Sequence, residues 1–86
     1  MLAESYMPRF FFDIVNGALM VDDAGTEFPN VHAARDAAIN VLPAVAREEI
    51  AAGHGHEVVV LMRGETGRAL FTASLTLTAR WLVDTA

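Results

Sequence analysis

The chain has 86 residues, of which 53% are hydrophobic, and eleven acidic against six basic residues give a formal net charge of −5. This length predicts a single domain at residues 8–86, preceded by an extension at residues 1–7. The chain has no lysine and its arginines are scattered, which argues against direct nucleic-acid binding because that binding depends on clustered cations.

The sequence also argues against disulfide-bonded, membrane-spanning and exported proteins. It contains no cysteine, which removes disulfides, thiol nucleophiles and cysteine zinc sites. No apolar run approaches the roughly 18 residues of a membrane span, and residues 1–7 lack the basic and apolar regions of a signal peptide. We therefore predict a cytoplasmic protein with no membrane contact.

The first predicted strand, residues 9–15, is rich in aromatic and β-branched side chains and runs directly into Asn16-Gly17. An Asn-Gly pair is a strong hairpin signal, since a type I′ turn needs a positive φ at both central residues. The chain is therefore predicted to fold back into a second strand at residues 18–22. A polar bend at residues 23–25 then leads to a short extended segment.

These residues carry a family resemblance. Residues 7–13 (Met-Pro-Arg-Phe-Phe-Phe-Asp), 22–30 (Asp-Asp-Ala-Gly-Thr-Glu-Phe-Pro-Asn) and 33–35 (Ala-Ala-Arg) resemble a small family of uncharacterised bacterial proteins that open with Pro-Arg-Tyr/Phe-Phe-Phe-Asp. The resemblance implies a fold and a bacterial cytoplasmic origin, but no activity and no functional residues. More remotely, a hairpin followed by a helix is similar to the N-terminal half of the HicB-type antitoxin fold, here without a DNA-binding extension.

Residues 31–52 are predicted to form one helix, with Asn30 as its N-cap and Gly53 as its stop. Pro43 removes one internal hydrogen bond, so we expect a kink or two consecutive helical pieces. The helix should pack on the sheet through one stripe of apolar side chains, namely Val31, Ala34, Ala38, Leu42 and Val45.

A second hairpin follows the helix, with predicted strands at residues 57–63 and 68–81. The last strand alternates apolar with hydroxyl-bearing residues, which is typical of a half-buried antiparallel strand. The complete pattern is β-β-α-β-β. It predicts an α+β fold in which one kinked helix packs on a four-stranded, mainly antiparallel sheet.

Alternation also predicts an interaction surface. If Phe10 and Val60 face the helix and their strands lie side by side, the opposite face of the sheet carries an apolar patch that includes one acidic residue. Its predicted members are Phe11, Asp13, Val15, Val59 and Leu61. Asp13 is expected either to pair with an arginine there (Arg9, Arg63 or Arg68) or to mark a polar binding spot. The long final strand offers a second route to association through its edge, so we predict a homodimer.

Two groups of residues have the side chains of a metal site. Asp13, Asp22, Asp23 and Glu27 are hard oxygen ligands, although Asp-Asp-x-Gly is also ordinary turn chemistry, which we favour. His54 and His56 supply at most two of the ligands that zinc needs. Ser5 and Ser74 lack a nucleophile motif. The sequence therefore predicts no catalytic, cofactor-binding or metal-binding residue, and no cofactor.

Three hypotheses of function follow. The favoured one is a non-catalytic protein-interaction module that self-associates through its sheet and binds a second protein as partner. The alternative is a small-ligand-binding or sensing domain, with a pocket between the kinked helix and the sheet. The third is a metal-assisted hydrolase that uses the carboxylate bend. We expect the protein not to be an enzyme.

Overall fold

A computed structural model describes residues 6–51 and 57–85, and in them one helix lies on one face of an antiparallel sheet of five strands. The strands are β1 (Arg9–Val15), β2 (Leu19–Met20), β3 (Thr26–Glu27), β4 (Glu57–Arg63) and β5 (Ala69–Thr76), and the helix is α1 (Val31–Ala51). β1 and β4 are central, β2 and β3 both pair with the free side of β1, and β5 pairs with β4. The predicted α+β class is confirmed.

β2 and β3 are two pieces of one interrupted edge strand, where the sequence predicted a single strand at residues 18–22. Met20 pairs with Ile14, and Thr26 pairs with Phe10. Between those pairs β1 has three residues and the other strand has five, residues 21–25. The two extra residues cannot stay in register, so this β2–β3 loop leaves the sheet.

The first hairpin turn also differs from the prediction. Val15 pairs with Leu19, so the loop has three residues. Within this loop Gly17 has a positive φ (+96°), whereas Asn16 does not. A two-residue Asn-Gly turn would instead pair Val15 with Ala18. One extra residue in the loop reverses which face each side chain of β2 occupies.

α1 is a single helix whose start was predicted correctly. Its N-cap is Asn30, whose side-chain Oδ1 accepts a hydrogen bond from the Ala33 N–H (2.9 Å). The helix continues through Pro43, so of the two predicted alternatives the one with two helical pieces is wrong, and the kink stays a prediction. The predicted stop at Gly53 lies outside the described residues.

The core lies between α1 and the central strands. On the helix, every fourth residue is buried, from Ala34 through Ala38 and Leu42 to Ala46, while Val31 at the first position is exposed. These small side chains allow the helix to approach the sheet closely. From the sheet, buried side chains of β1 and β4 complete the core: Phe10, Val58, Val60 and Met62.

β5 ends at Thr76, five residues before the predicted end of the last strand. Its pairing partner β4 begins at Glu57, which lies opposite Thr76, so no strand of the described residues lies beside residues 77–81. Every residue from 77 to 85 is exposed. The Cα radius of gyration is 16.7 Å, well above the roughly 12 Å expected of a compact chain of this length. Among the described residues, no helix is long and apolar enough to cross a membrane.

Candidate interaction surface

The face of the sheet turned away from α1, here called the outer face, carries all five residues predicted to form an interface. Val15 lies directly opposite Val59, and Asp13 lies opposite Leu61 on the neighbouring strand. Phe11 lies opposite Arg63 at the far end of the same face. Cross-strand partners of this kind are in side-chain contact range, so the fold brings the five residues together.

An apolar row crosses this face over three strands, from Leu19 through Val15 to Val59. Leu19 is 64% exposed and Val15 is 42% exposed, while Val59 and the adjacent Leu61 are half-buried. Leu19 was not among the predicted residues. The three-residue hairpin loop places Leu19 on the outer face. The predicted two-residue turn at Asn16-Gly17 would instead have placed it on the face toward α1.

At the opposite end of the outer face, Asp13 and Arg63 form a bidentate ion pair in which Asp13 is buried and Arg63 is half-buried. Arg63 Nε lies 2.7 Å from Asp13 Oδ2, and Arg63 Nη2 lies 3.0 Å from Asp13 Oδ1. The Asp22 backbone N–H also donates to Asp13 Oδ1 (3.0 Å), and Asp13 is only 8% exposed. Of the three arginines predicted as partners, Arg63 is confirmed.

The Asp22 carboxylate fixes the β2–β3 loop at the gap between β2 and β3. Its Oδ2 accepts the Phe12 N–H (3.0 Å), a backbone donor of β1 that has no strand beside it there. Its Oδ1 accepts the N–H groups of Ala24 (3.2 Å) and Gly25 (2.9 Å). This is an Asx-type turn, so the interpretation of Asp-Asp-x-Gly as turn chemistry is confirmed.

Two arginines hold the same loop against the outer face. Arg9 donates to the carbonyl oxygens of Ala24 (3.0 Å) and Gly25 (3.3 Å), and Arg63 donates to the Asp22 carbonyl oxygen (3.0 Å). The Arg63 guanidinium also lies 5.1 Å from the centre of the Phe11 ring, within the range of a cation–π contact. The protein's own chain therefore covers Phe11 and Asp13, and the open part of the outer face is the apolar row with Leu61.

A separate apolar cavity of about 170 Å³ lies between the C-terminal half of α1 and the sheet. Ala46, Ile50, Val58, Leu75 and Leu77 form its apolar wall, and the carboxylate-bearing Glu49 and Glu57 also line it. The alternative hypothesis of a ligand-binding domain predicted a pocket between these two elements.

A family model for DUF6894, a domain of unknown function, matches residues 9–76. The chain belongs to this family. The matched segment begins with β1 and ends with β5, so it includes the helix, the whole sheet and the outer face, and it stops where the exposed residues 77–85 begin. Comparison with curated proteins and with solved structures finds no match. The remote likeness to the HicB-type fold stays a prediction.

Two carboxylates of this DUF6894 domain, those of Asp13 and Asp22, accept several hydrogen bonds each, and these bonds lower their pKa values. The hydrogen bonds from Arg63 hold the pKa of Asp13 below its ordinary value. Burial raises the pKa of Asp22, but the backbone N–H groups of Phe12, Gly25 and Ala24 together outweigh it and leave that pKa lowered. Within the described ranges, no group of three or more His, Asp or Glu side chains is placed to hold a metal ion. His54 and His56 lie outside those ranges.

These pKa shifts predict an acid-sensitive domain. Asp13 and Asp22 have lower pKa values in the folded DUF6894 domain than in the unfolded chain, so at acidic pH the unfolded chain binds more protons. Their contribution to stability is complete above the ordinary Asp pKa of about 4 and is lost as the pH falls through the folded-state values. Urea unfolding at a series of pH values should show this loss, with a shallower slope for Asp13→Asn. A wild-type stability that stays constant below about pH 4 would contradict the assignment.

Proposed function

We propose that this protein is a non-catalytic protein-interaction module of the bacterial cytoplasm that self-associates through the outer face of its sheet. The observation that carries the proposal is the open apolar row of Leu19, Val15 and Val59 beside Leu61. A two-layer domain with one helix covers a single face of its sheet, and apolar side chains on the other face gain free energy when a partner removes them from water.

The surroundings of the row suit a contact between identical chains. On β5, Ser74 lies beside Val59 and Thr72 lies beside Leu61, so this side of the row is polar but uncharged. Two acids flank the row on the same face: Asp13 is paired with Arg63, and Glu57 accepts a hydrogen bond from Thr76. A net charge of −5 makes two copies repel each other, so an apolar contact must provide the attraction that offsets this repulsion at the outer face. A two-fold axis through such a patch sets the same surface against itself.

The cavity beside α1 supports the alternative of a ligand-binding domain less well. Its volume of about 170 Å³ is below the range of roughly 300–1,000 Å³ that is usual for small-molecule sites. Metal-assisted hydrolysis has weaker support still, because Asp13 and Asp22 accept hydrogen bonds from Arg63 and from backbone N–H groups. We therefore place the interaction module first.

Introducing an aspartate into the apolar row is expected to reduce the mass of the assembled particle to half of its wild-type value. Val59→Asp places an unpaired carboxylate at the centre of the contact, and burying such a charge costs more than the contact provides. Leu19→Asp does the same at an exposed position, where the fold is not at risk. The measurement is sedimentation equilibrium across a dilution series, with circular dichroism to confirm folding.

Asn40→Asp is the matched control, because it adds the same charge at an exposed position of α1. It should leave the particle mass unchanged. A wild-type protein that is already monomeric throughout the dilution series would refute self-association. Folded Val59→Asp and Leu19→Asp variants that keep the wild-type mass would show that the outer face is not the contact.

A further inference from the structure

β5 is an open edge of the sheet, and the sequence continues its strand pattern beyond the point where it can pair within its own chain. Ala73 and Leu75 lie on the side of β5 that faces α1, and Leu77 and Ala79 continue that alternation. Among the described residues, the pairing with β4 stops at Thr76, which lies opposite Glu57. Residues 77–80 therefore have the sequence of a strand but no neighbouring strand within the described domain.

The segment after β5 also exposes large apolar side chains. Trp81 is 76% exposed, and Leu82 and Val83 are similarly exposed. Leu75, near the end of β5, and Leu77, just after it, are only partly covered and line the cavity beside α1. Exposed side chains of this size in one short segment are typical of a surface that another chain covers.

We propose that a second copy of this chain pairs with β5 along its open edge, antiparallel and across a two-fold axis at Leu77. The two sheets then become one continuous sheet, as in other cases of edge-strand addition. In this register Leu77 faces the partner's Leu77, Leu75 faces the partner's Ala79, and Ala73 faces the partner's Trp81. Each large side chain away from the axis meets a small one, and the cavity is closed by the partner strand.

Charge favours the same arrangement. Arg80 lies on the outer side of the strand and faces the partner's Ser74 in this register. Thr76, two residues further along the same strand, is hydrogen-bonded to the Glu57 carboxylate (3.3 Å) of the next strand, β4. The guanidinium of each copy therefore lies on the same side of the joined sheet as an acid of the other copy, one strand further away, and the two opposite charges attract each other. This edge contact is independent of the outer-face contact proposed above, because it uses different residues.

Because the chain has no cysteine, single-cysteine variants test the register directly. Facing residues of antiparallel strands have Cα atoms about 4.5–5.5 Å apart, which lies within the range of a disulfide. Leu77→Cys should therefore form a covalent dimer on mild oxidation, seen on a non-reducing gel. Leu75→Cys and Ala79→Cys should cross-link to each other when mixed. Ala44→Cys, exposed on α1, is the matched control and should stay monomeric.

Trp81 provides a second readout, because it is the only tryptophan in the chain. Its fluorescence should shift to longer wavelength as the protein is diluted and the partner is lost. Leu19→Asp should keep both the cross-link and the shift, which separates a failure of the outer-face proposal from a failure of this one. The edge pairing is wrong if Leu77→Cys oxidises no faster than Ala44→Cys, or if the emission of Trp81 does not change on dilution.

Discussion

Replacing Asp13 with alanine is expected to lower the free energy of unfolding by about 2–3 kcal/mol, because it removes a buried carboxylate and leaves its half-buried hydrogen-bond donors without an acceptor. Arg63 would lose both of its bonds to the carboxylate, and the Asp22 N–H would lose its acceptor. Both losses fall on groups that the β2–β3 loop shields from water. Urea unfolding followed by circular dichroism, at one fixed protein concentration, measures the change.

The matched comparison is the exposed ion pair of Arg35 and Asp36 on α1, whose atoms lie 2.9 Å apart. Arg35→Ala should cost less than about 1 kcal/mol, since exposed pairs are solvated and screened. Both pairs join an arginine to an aspartate at similar distances, and they differ in burial and in the number of hydrogen bonds, which are the two causes of the larger expected effect at Asp13. A loss of less than about 1 kcal/mol for Asp13→Ala would mean that the pair is not a structural element of the loop.

The parts of the fold that the sequence predicted correctly depend on short-range patterns. The bounds of β1 and β4 and the start of α1 follow from alternation, from β-branched and aromatic content, and from the cap at Asn30. The assignment of Phe10 and Val60 to the core follows from the same alternation. Each of these signals is contained within a few neighbouring residues.

The errors concern pairing, which no local pattern contains. The register of the first hairpin depends on one residue in the loop, and Asn16-Gly17 is compatible with two or three loop residues. The break between β2 and β3 exists because residues 21–25 are two residues too many for the matching part of β1. The last strand was predicted too long because a strand needs a partner as well as a sequence, and β4 ends the pairing at Thr76.

The same distinction holds for the outer face. Its five predicted residues share one face because alternation fixes faces, and the pairing of Asp13 with Arg63 follows from their position on neighbouring strands. Leu19 was not predicted to lie on this face, because the predicted two-residue turn gives the first hairpin a different register. The position of the β2–β3 loop over Phe11 was also missed. Its signal in the sequence was Gly25, which this loop needs because φ is +71° there and an added Cβ would overlap Phe11.

Gly25→Ala is expected to destabilise the domain by about 3 kcal/mol through backbone strain and steric overlap together. Gly25 has φ +71°, and a methyl group there would lie 2.8 Å from Arg9 Cγ, 2.8 Å from Phe11 Cε2 and 2.9 Å from the Phe10 carbonyl oxygen. The Phe10 backbone belongs to β1 and cannot move away without disturbing the sheet. The loop would have to lift, with loss of the bonds that Arg9 makes to it.

Gly17→Ala separates the two causes, because Gly17 also has a positive φ (+96°) but has no atom within 4 Å of the added methyl group. Backbone strain alone should cost about 1–2 kcal/mol at that position. The excess at Gly25 then measures how closely the loop is held to the outer face, by the same urea unfolding. Equal losses for the two variants would show that the loop yields freely. In that case Phe11 would become accessible, and the open apolar surface of the sheet would extend from Leu19 to the start of β1.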